Sequence, residues 1–147
     1  MKTLLTKLFS TVVLLQLCTS VLLGQSPVTT TISLSDPSPY LEDYLQPGRL
    51  LTSIVSTDQR PTYLVRLQFT IEAGGQRFLL PGDLAFAPVI ELNRGLPLVL
   101  QGEDLRPYFD LNFLDPPTRD QILSLGNELP AGPITICLAA YDLNFLG

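Results

Sequence analysis

The sequence predicts an all-β fold, an antiparallel β-sandwich with short helical segments in its connections, and three observations carry that reading. Apolar and polar residues alternate with a period of two over residues 62–72. Short β-branched or apolar runs recur along the chain between turns rich in Gly and Pro, which number 10 and 13. The sequence also lacks the regular strand-helix alternation that builds a parallel sheet.

Each element follows from local chemistry. The β-branched stretch Val28–Leu34 suits an edge strand. Ser35-Asp-Pro-Ser-Pro39 ends it, because proline donates no ladder hydrogen bond. Residues 40–45 are expected to form a short helical turn ahead of the turn pair Pro47-Gly48. A strand with apolar residues on both faces follows over 49–57, and Asp58-Gln-Arg-Pro61 is expected to turn it back into the next strand as a hairpin. In that next strand Tyr63, Val65, Leu67, Phe69 and Ile71 share one parity, while Arg66, Gln68, Thr70 and Glu72 share the other. The first set should face a core and the second water. Ala73-Gly-Gly75 closes the strand in a turn, and residues 76–80 pair back. Residues 89–92 and 96–101 are expected as short strands and 103–108 as a helical piece. Thr118-Arg-Asp-Gln121 has capping-box spacing, which places a short helix over 119–125 with Thr118 at its N-cap and Gly126 at its end. The last strand, 133–143, is apolar on both parities, the pattern of a central strand buried on two sides. Asp-Leu-Asn-Phe-Leu occurs at 110–114 and again at 142–146 with different flanks, which reads as a shared turn preference. The whole pattern is that of an immunoglobulin/fibronectin-like β-sandwich.

The start of the chain carries a different message. Lys2 and Lys7, the chain's two lysines, precede an apolar run over 8–23 that Ser10, Thr11, Gln16, Thr19 and Ser20 interrupt. A charged segment ahead of a short apolar one is the layout of a secretory signal peptide. The run falls short of the ~20 apolar residues that a membrane-spanning helix needs. Residues 1–24 are therefore expected to be removed, leaving 25–147 as a single β-sandwich module that is secreted or at the cell surface. Cleavage after Ser20 competes with cleavage after Gly24. Leu17 stands where lipid attachment to Cys18 would need a small side chain.

The segment after Gly24 holds seven arginines and fourteen Asp and Glu, a net charge of −7. Such a surface repels phosphate backbones and argues against a nucleic acid partner, and signal removal leaves no stable membrane span. The chain has no His, so the Ser-His and Cys-His nucleophile systems and the commonest metal ligand are missing. The Gly-x-Ser-x-Gly, Gly-x-Gly-x-x-Gly and P-loop patterns are missing as well. No catalytic, cofactor-binding or metal-binding residue is assigned, and no cofactor is expected. Glu42-Asp43 and Glu103-Asp104 are adjacent pairs. A glycosidase instead needs two carboxyls facing each other roughly 5–9.5 Å apart, so a place in the first turn of a helical piece is expected for both pairs. Asp110, Asn112 and Asp115 offer oxygen ligands to Ca²⁺, but the EF-hand spacing is absent and ordinary turn formation is expected. Cys18 falls in the signal segment, which leaves Cys137 either as a buried thiol or as the partner of a cysteine beyond this sequence. Tyr40, Tyr44, Tyr108 and Phe109 lie in the predicted loops and helical turns; they are the candidate interaction surface, but covering the ends of the sandwich is the favoured reading. Tyr63, Phe69 and Tyr141 lie on strands and are expected in the core.

Four segments carry a family resemblance: Tyr40-Leu-Glu-Asp-Tyr44, Pro47-Gly-Arg-Leu50, Leu100-Gln-Gly-Glu-Asp-Leu-Arg-Pro-Tyr-Phe-Asp110, and Leu129-Pro-Ala-Gly-Pro-Ile-Thr-Ile-Cys-Leu-Ala-Ala-Tyr-Asp142. Together they resemble the TANFOR domain over nearly all of 25–147. The most specific piece is Leu-Pro-x-Gly followed by a strand that bears Cys and ends in Ala-Tyr-Asp. The resemblance implies the N-terminal module of a large secreted or surface protein of Bacteroidetes, often ahead of fibronectin type III or similar repeats. It implies downstream domains or other surface proteins as partners, and it carries no catalytic motif. Such proteins usually continue far beyond the Tyr-Asp segment, so the resemblance implies a truncated or a short stand-alone member. The expected function is a non-catalytic structural or interaction module. A glycan- or peptide-binding module is the second reading and a carboxylate-dependent hydrolase the third.

Overall fold

The computed structural model describes residues 27–143; the expected signal segment and both candidate cleavage bonds lie outside them. The described residues form two antiparallel sheets. In the first, the strand order is β1 (Val28–Leu34), β2 (Leu50–Ser56), β6 (Leu98–Leu100). The second is built on the long strand β3 (Thr62–Ala73). β7 (Ile134–Asp142) runs along one edge of β3, while β4 (Gln76–Leu80) and β5 (Ile90–Asn93) share the other edge, β4 against residues 69–73 and β5 against 62–65. The connections carry two short α-helices, α1 (Arg106–Phe109) and α2 (Pro116–Ser124), and single 3-10 turns at Leu41–Leu45, Leu84–Phe86, Gly102–Leu105 and Leu111–Phe113. No helix among the described residues is long and apolar enough to cross a membrane.

Period-two alternation turns one face of each sheet inward, and both faces feed a single core. Leu50 and Ile54 of β2 are buried together with Tyr63, Val65, Leu67, Phe69 and Ile71 of β3 and with Ile136 and Leu138 of β7. The β3–β4 connection is the two-residue turn Gly74-Gly75, with Ala73 facing Gln76 across it. Both glycines have positive φ, 56° and 77°, as the hairpin turn that matches strand twist requires. Gly74 is constrained further, since a Cβ there would lie 2.5 Å from Cβ of Pro130.

Several expectations are corrected. Residues 58–61 make no hairpin, because β2 and β3 belong to different sheets. Asp58 Oδ1 accepts hydrogen bonds from the backbone N–H of Arg60 at 2.9 Å and from its Nε at 2.7 Å, forming a tight Asp-centred turn as the chain passes between sheets. The N-cap of α2 is Asp115 and not Thr118. Pro116 and Pro117 start the helix early, since their fixed φ suits its first positions and their missing N–H groups cost nothing there. A capping box does occur, but at Gln101 and Asp104.

A further correction concerns β7, which is not buried on two sides. Ile136 and Leu138 are buried, while its other residues are half-buried. Its register explains this: Ile136 and Leu138 face Ile71 and Phe69 on the inner side, whereas Cys137, Ala139 and Tyr141 face Thr70, Gln68 and Arg66 on the outer side. Tyr141 accordingly leaves the core and donates a hydrogen bond to Gln68 Oε1 at 3.3 Å. Cys137 is disulfide-bonded, which excludes the buried free thiol, one of the two readings left open for it. Cys18, the other cysteine of the sequence, lies outside the described residues.

Another correction is Gln68, which shares the outward parity yet is only 8% exposed. Between β4 and β5 the chain leaves the β3 edge, and two β3 side chains take up its carbonyls. Gln68 Nε2 donates to the Pro81 carbonyl at 2.8 Å, and Arg66 Nη1 donates to the Leu84 carbonyl at 2.9 Å. Gln68→Ala should therefore cost about 1–3 kcal/mol, the penalty of a buried acceptor left unpaired, instead of the few tenths expected of a surface change. Urea unfolding of the variant measures this.

Candidate functional site

The 3-10 turn Leu41–Leu45 has the spacing that buries one face, with Leu41 and Tyr44 inward. The 102–109 segment does the same with Leu105, Tyr108 and Phe109. The two pieces pack on each other and on β3. Phe109 stands 5.4 Å from Tyr44 between ring centroids, and Phe69 stands 5.0 Å from Phe109 and 5.1 Å from Tyr108, both edge-on. Of the four aromatics proposed from the sequence, Tyr44, Tyr108 and Phe109 thus lie in the core at no more than 1% exposure, and Tyr40, at 43%, lies at the surface. The i, i+3 and i, i+4 spacing of these residues was the available signal for burial.

The Tyr44 hydroxyl donates to the Ser38 carbonyl at 2.6 Å and accepts from the Ser38 N–H at 2.8 Å, tying the loop to the turn. Burial raises its pKa above the ordinary tyrosine value. The Tyr108 hydroxyl is buried with no hydrogen-bond partner among the described residues, and burial alone raises its pKa. Tyr63 is pushed up to about 12 by burial and by its hydrogen bond to Asp142.

Beside this aromatic cluster a cavity of about 330 Å³ opens at the surface. Leu41, Leu45, Phe109 and Leu111 supply its apolar walls, and Tyr40, Glu42, Arg106, Asp110, Asn112 and Asn127 its polar ones. Asn127 comes from the turn after α2, a distant segment whose part in the cavity no local pattern announces. Arg106 is clamped: Nε and Nη2 donate to the two Glu103 oxygens at 2.6 and 2.7 Å, and Nη1 donates to Asp110 Oδ2 at 2.7 Å. The Arg106 guanidinium holds Glu103 below the usual carboxylate range. The Asn112 amide, and behind it Arg106, hold Asp110 low against the opposing effect of partial burial. Both are anions at neutral pH. Glu42 makes no ion pair among the described residues. A second, more open hollow of about 500 Å³ lies at the β3–β4 hairpin, where Arg77 and Glu72 pair with each other at 3.0 Å.

Asp110 and Asp115, considered as Ca²⁺ ligands, serve the backbone. Asp110 Oδ1 accepts from the Asn112 N–H at 3.0 Å, the expected turn. Asp115 accepts from the Gly82 N–H at 2.8 Å and from the Thr118 hydroxyl at 2.9 Å. The approach is so close that a Cβ on Gly82 would meet Thr118 Oγ1 at 2.5 Å. Among the described residues no three His, Cys, Asp or Glu gather as a metal-binding group. Glu42, Asp43, Glu103 and Asp104 sit in first turns, as their spacing suggested.

Burial of Asp115 favours its neutral form, but the Thr118 hydroxyl and the backbone amides outweigh it and leave the pKa below 3.8. In the unfolded chain the group titrates near 3.8, so acid protonates the unfolded state first. The contribution of Asp115 is then fully present above that value and is lost as pH falls below it. Asp115→Asn should flatten the stability profile between about pH 5 and pH 2, measured by urea unfolding at each pH.

No family model matches the chain, and no curated protein or solved structure matches it.

Proposed function

We propose that the chain is a non-catalytic structural or interaction module of an exported protein, secreted or held at the cell surface. The observation that carries this reading is where the chemically able side chains go. Tyr44, Tyr108 and Phe109 fill the core, and the carboxylates of Asp110 and Asp115 fasten turns. The charged-then-apolar layout of residues 1–24 supports export. The four segments that resemble the TANFOR domain support a place at the start of a longer surface protein. Connections that pass between the two sheets support an immunoglobulin/fibronectin-like arrangement.

The experiment is export of the full chain, followed by N-terminal sequencing and an assay against peptide, ester and glycoside substrates. A start at Gln25, or at Val21 for the competing bond, and no turnover are expected. Intact Met1 in the membrane fraction overturns the export reading. Hydrolysis abolished by one Asp or Glu substitution overturns the non-catalytic one. Either cut removes Cys18, so a disulfide of the exported chain would have to reach a cysteine outside residues 25–147.

The cavity at Tyr40 favours a second reading, a glycan- or peptide-binding module. It favours a hydrolase less, because Asp110, which shares the cavity with Glu42, is held as an anion while a general acid needs a raised pKa.

A further inference from the structure

We infer that the cavity between the Leu41–Leu45 turn and α1 receives one basic side chain, an arginine or lysine of a partner polypeptide. The inference rests on the interaction-module reading and gives it a ligand chemistry. At about 330 Å³ the space is at the small end of ligand pockets, enough for one long side chain and its anchoring backbone. Its apolar walls suit a methylene stem, which arginine and lysine bury readily. Tyr40 stands at this cavity, and its ring and hydroxyl make no ring contact or hydrogen bond among the described residues. It is therefore available to lie against a cation.

Charge selects the cation. Arg106 is the one basic residue lining the cavity, and its guanidinium is shared between Glu103 and Asp110. Glu42 has no ion pair among the described residues, so carboxylates outnumber guanidinium around the cavity, within a chain whose net charge is −5. Asp110 Oδ2 accepts from Arg106 and Oδ1 from the Asn112 N–H, and a carboxylate has about four lone-pair sites, which leaves room for another donor. An acidic ligand is repelled there. A neutral sugar leaves the Glu42 charge unused.

The test is an ¹H–¹⁵N titration of the exported protein with Nα-acetyl-arginine amide and Nα-acetyl-lysine amide. Nα-acetyl-glutamate amide and methyl glucoside serve as counter-probes. The basic probes should give saturable shifts at the amides of residues 40–45 and 106–112, with a dissociation constant on the order of 1–10 mM. Binding should weaken as salt rises and the screening length falls from about 10 Å at 0.1 M to about 3 Å at 1 M. Glu42→Gln should weaken binding roughly fivefold or more and Glu91→Gln should leave it unchanged, each variant checked as folded by its unaltered spectral dispersion. No saturation by the basic probes, equal shifts from the glucoside or the acidic probe, or no effect of Glu42→Gln would overturn the inference. Such a failure leaves the module reading standing, because that reading is judged by N-terminal sequencing and the turnover assays.

Discussion

Phe69→Ala is expected to lower the free energy of unfolding by about 3–5 kcal/mol, the largest loss from any single truncation on β3. Phe69 is fully buried and joins the two halves of the core, with Tyr108 and Phe109 packed edge-on against its ring. Removing the ring forfeits the transfer of its surface from water, opens a cavity between rigid neighbours, and breaks two aromatic pairs that add about 0.5–1.5 kcal/mol each beyond area. Against the ~5–15 kcal/mol that holds an ordinary domain together, this brings the variant close to unfolding. Urea denaturation should show a lower midpoint with an unchanged slope. Thr70→Ala, one residue along and half-buried on the outer face, should cost less than about 1 kcal/mol. Equal losses from the two would contradict the assignment of faces on β3.

Tyr44→Phe should cost about 2–4 kcal/mol although it removes a single oxygen. That oxygen is both acceptor and donor for the backbone of Ser38, which is itself buried, so its loss strands an N–H and a C=O together. Tyr108→Phe makes the same chemical change where the hydroxyl has no partner, and should be neutral or slightly stabilising. Thermal unfolding of the two variants side by side isolates the hydrogen bonds from the ring. A loss from Tyr108→Phe matching that from Tyr44→Phe would show that both hydroxyls are satisfied.

The strands were readable where side-chain parity was unmixed. Apart from Leu64, residues 62–72 alternate bulky and polar residues, and β3 covers them, with its inward set buried. Parity failed on β7 because alanine and cysteine count as apolar yet are small enough for an outer face, so a one-sided strand read as two-sided. It failed for Gln68 because the burial there comes from the 81–87 segment, whose carbonyls no periodicity in β3 could reveal. The hairpin expected at 58–61 failed for a topological reason: a tight turn reverses the chain equally well within a sheet and between sheets. The site was less legible still. Tyr40 and Phe109 line the cavity, but Glu42, Arg106 and Asn127 reach it from three separate segments that only the folded chain brings together.

The central claim is that Tyr44, Tyr108 and Phe109 pack together in the core and hold the module together. Nuclear Overhauser contacts among the aromatic rings of the protein test it most directly. Ring-to-ring cross-peaks are expected from Phe69 to both Tyr108 and Phe109 and from Phe109 to Tyr44, with Tyr40 showing none of them. Missing cross-peaks within this cluster, together with ready nitration of Tyr44 or Tyr108 in the native protein, would contradict it.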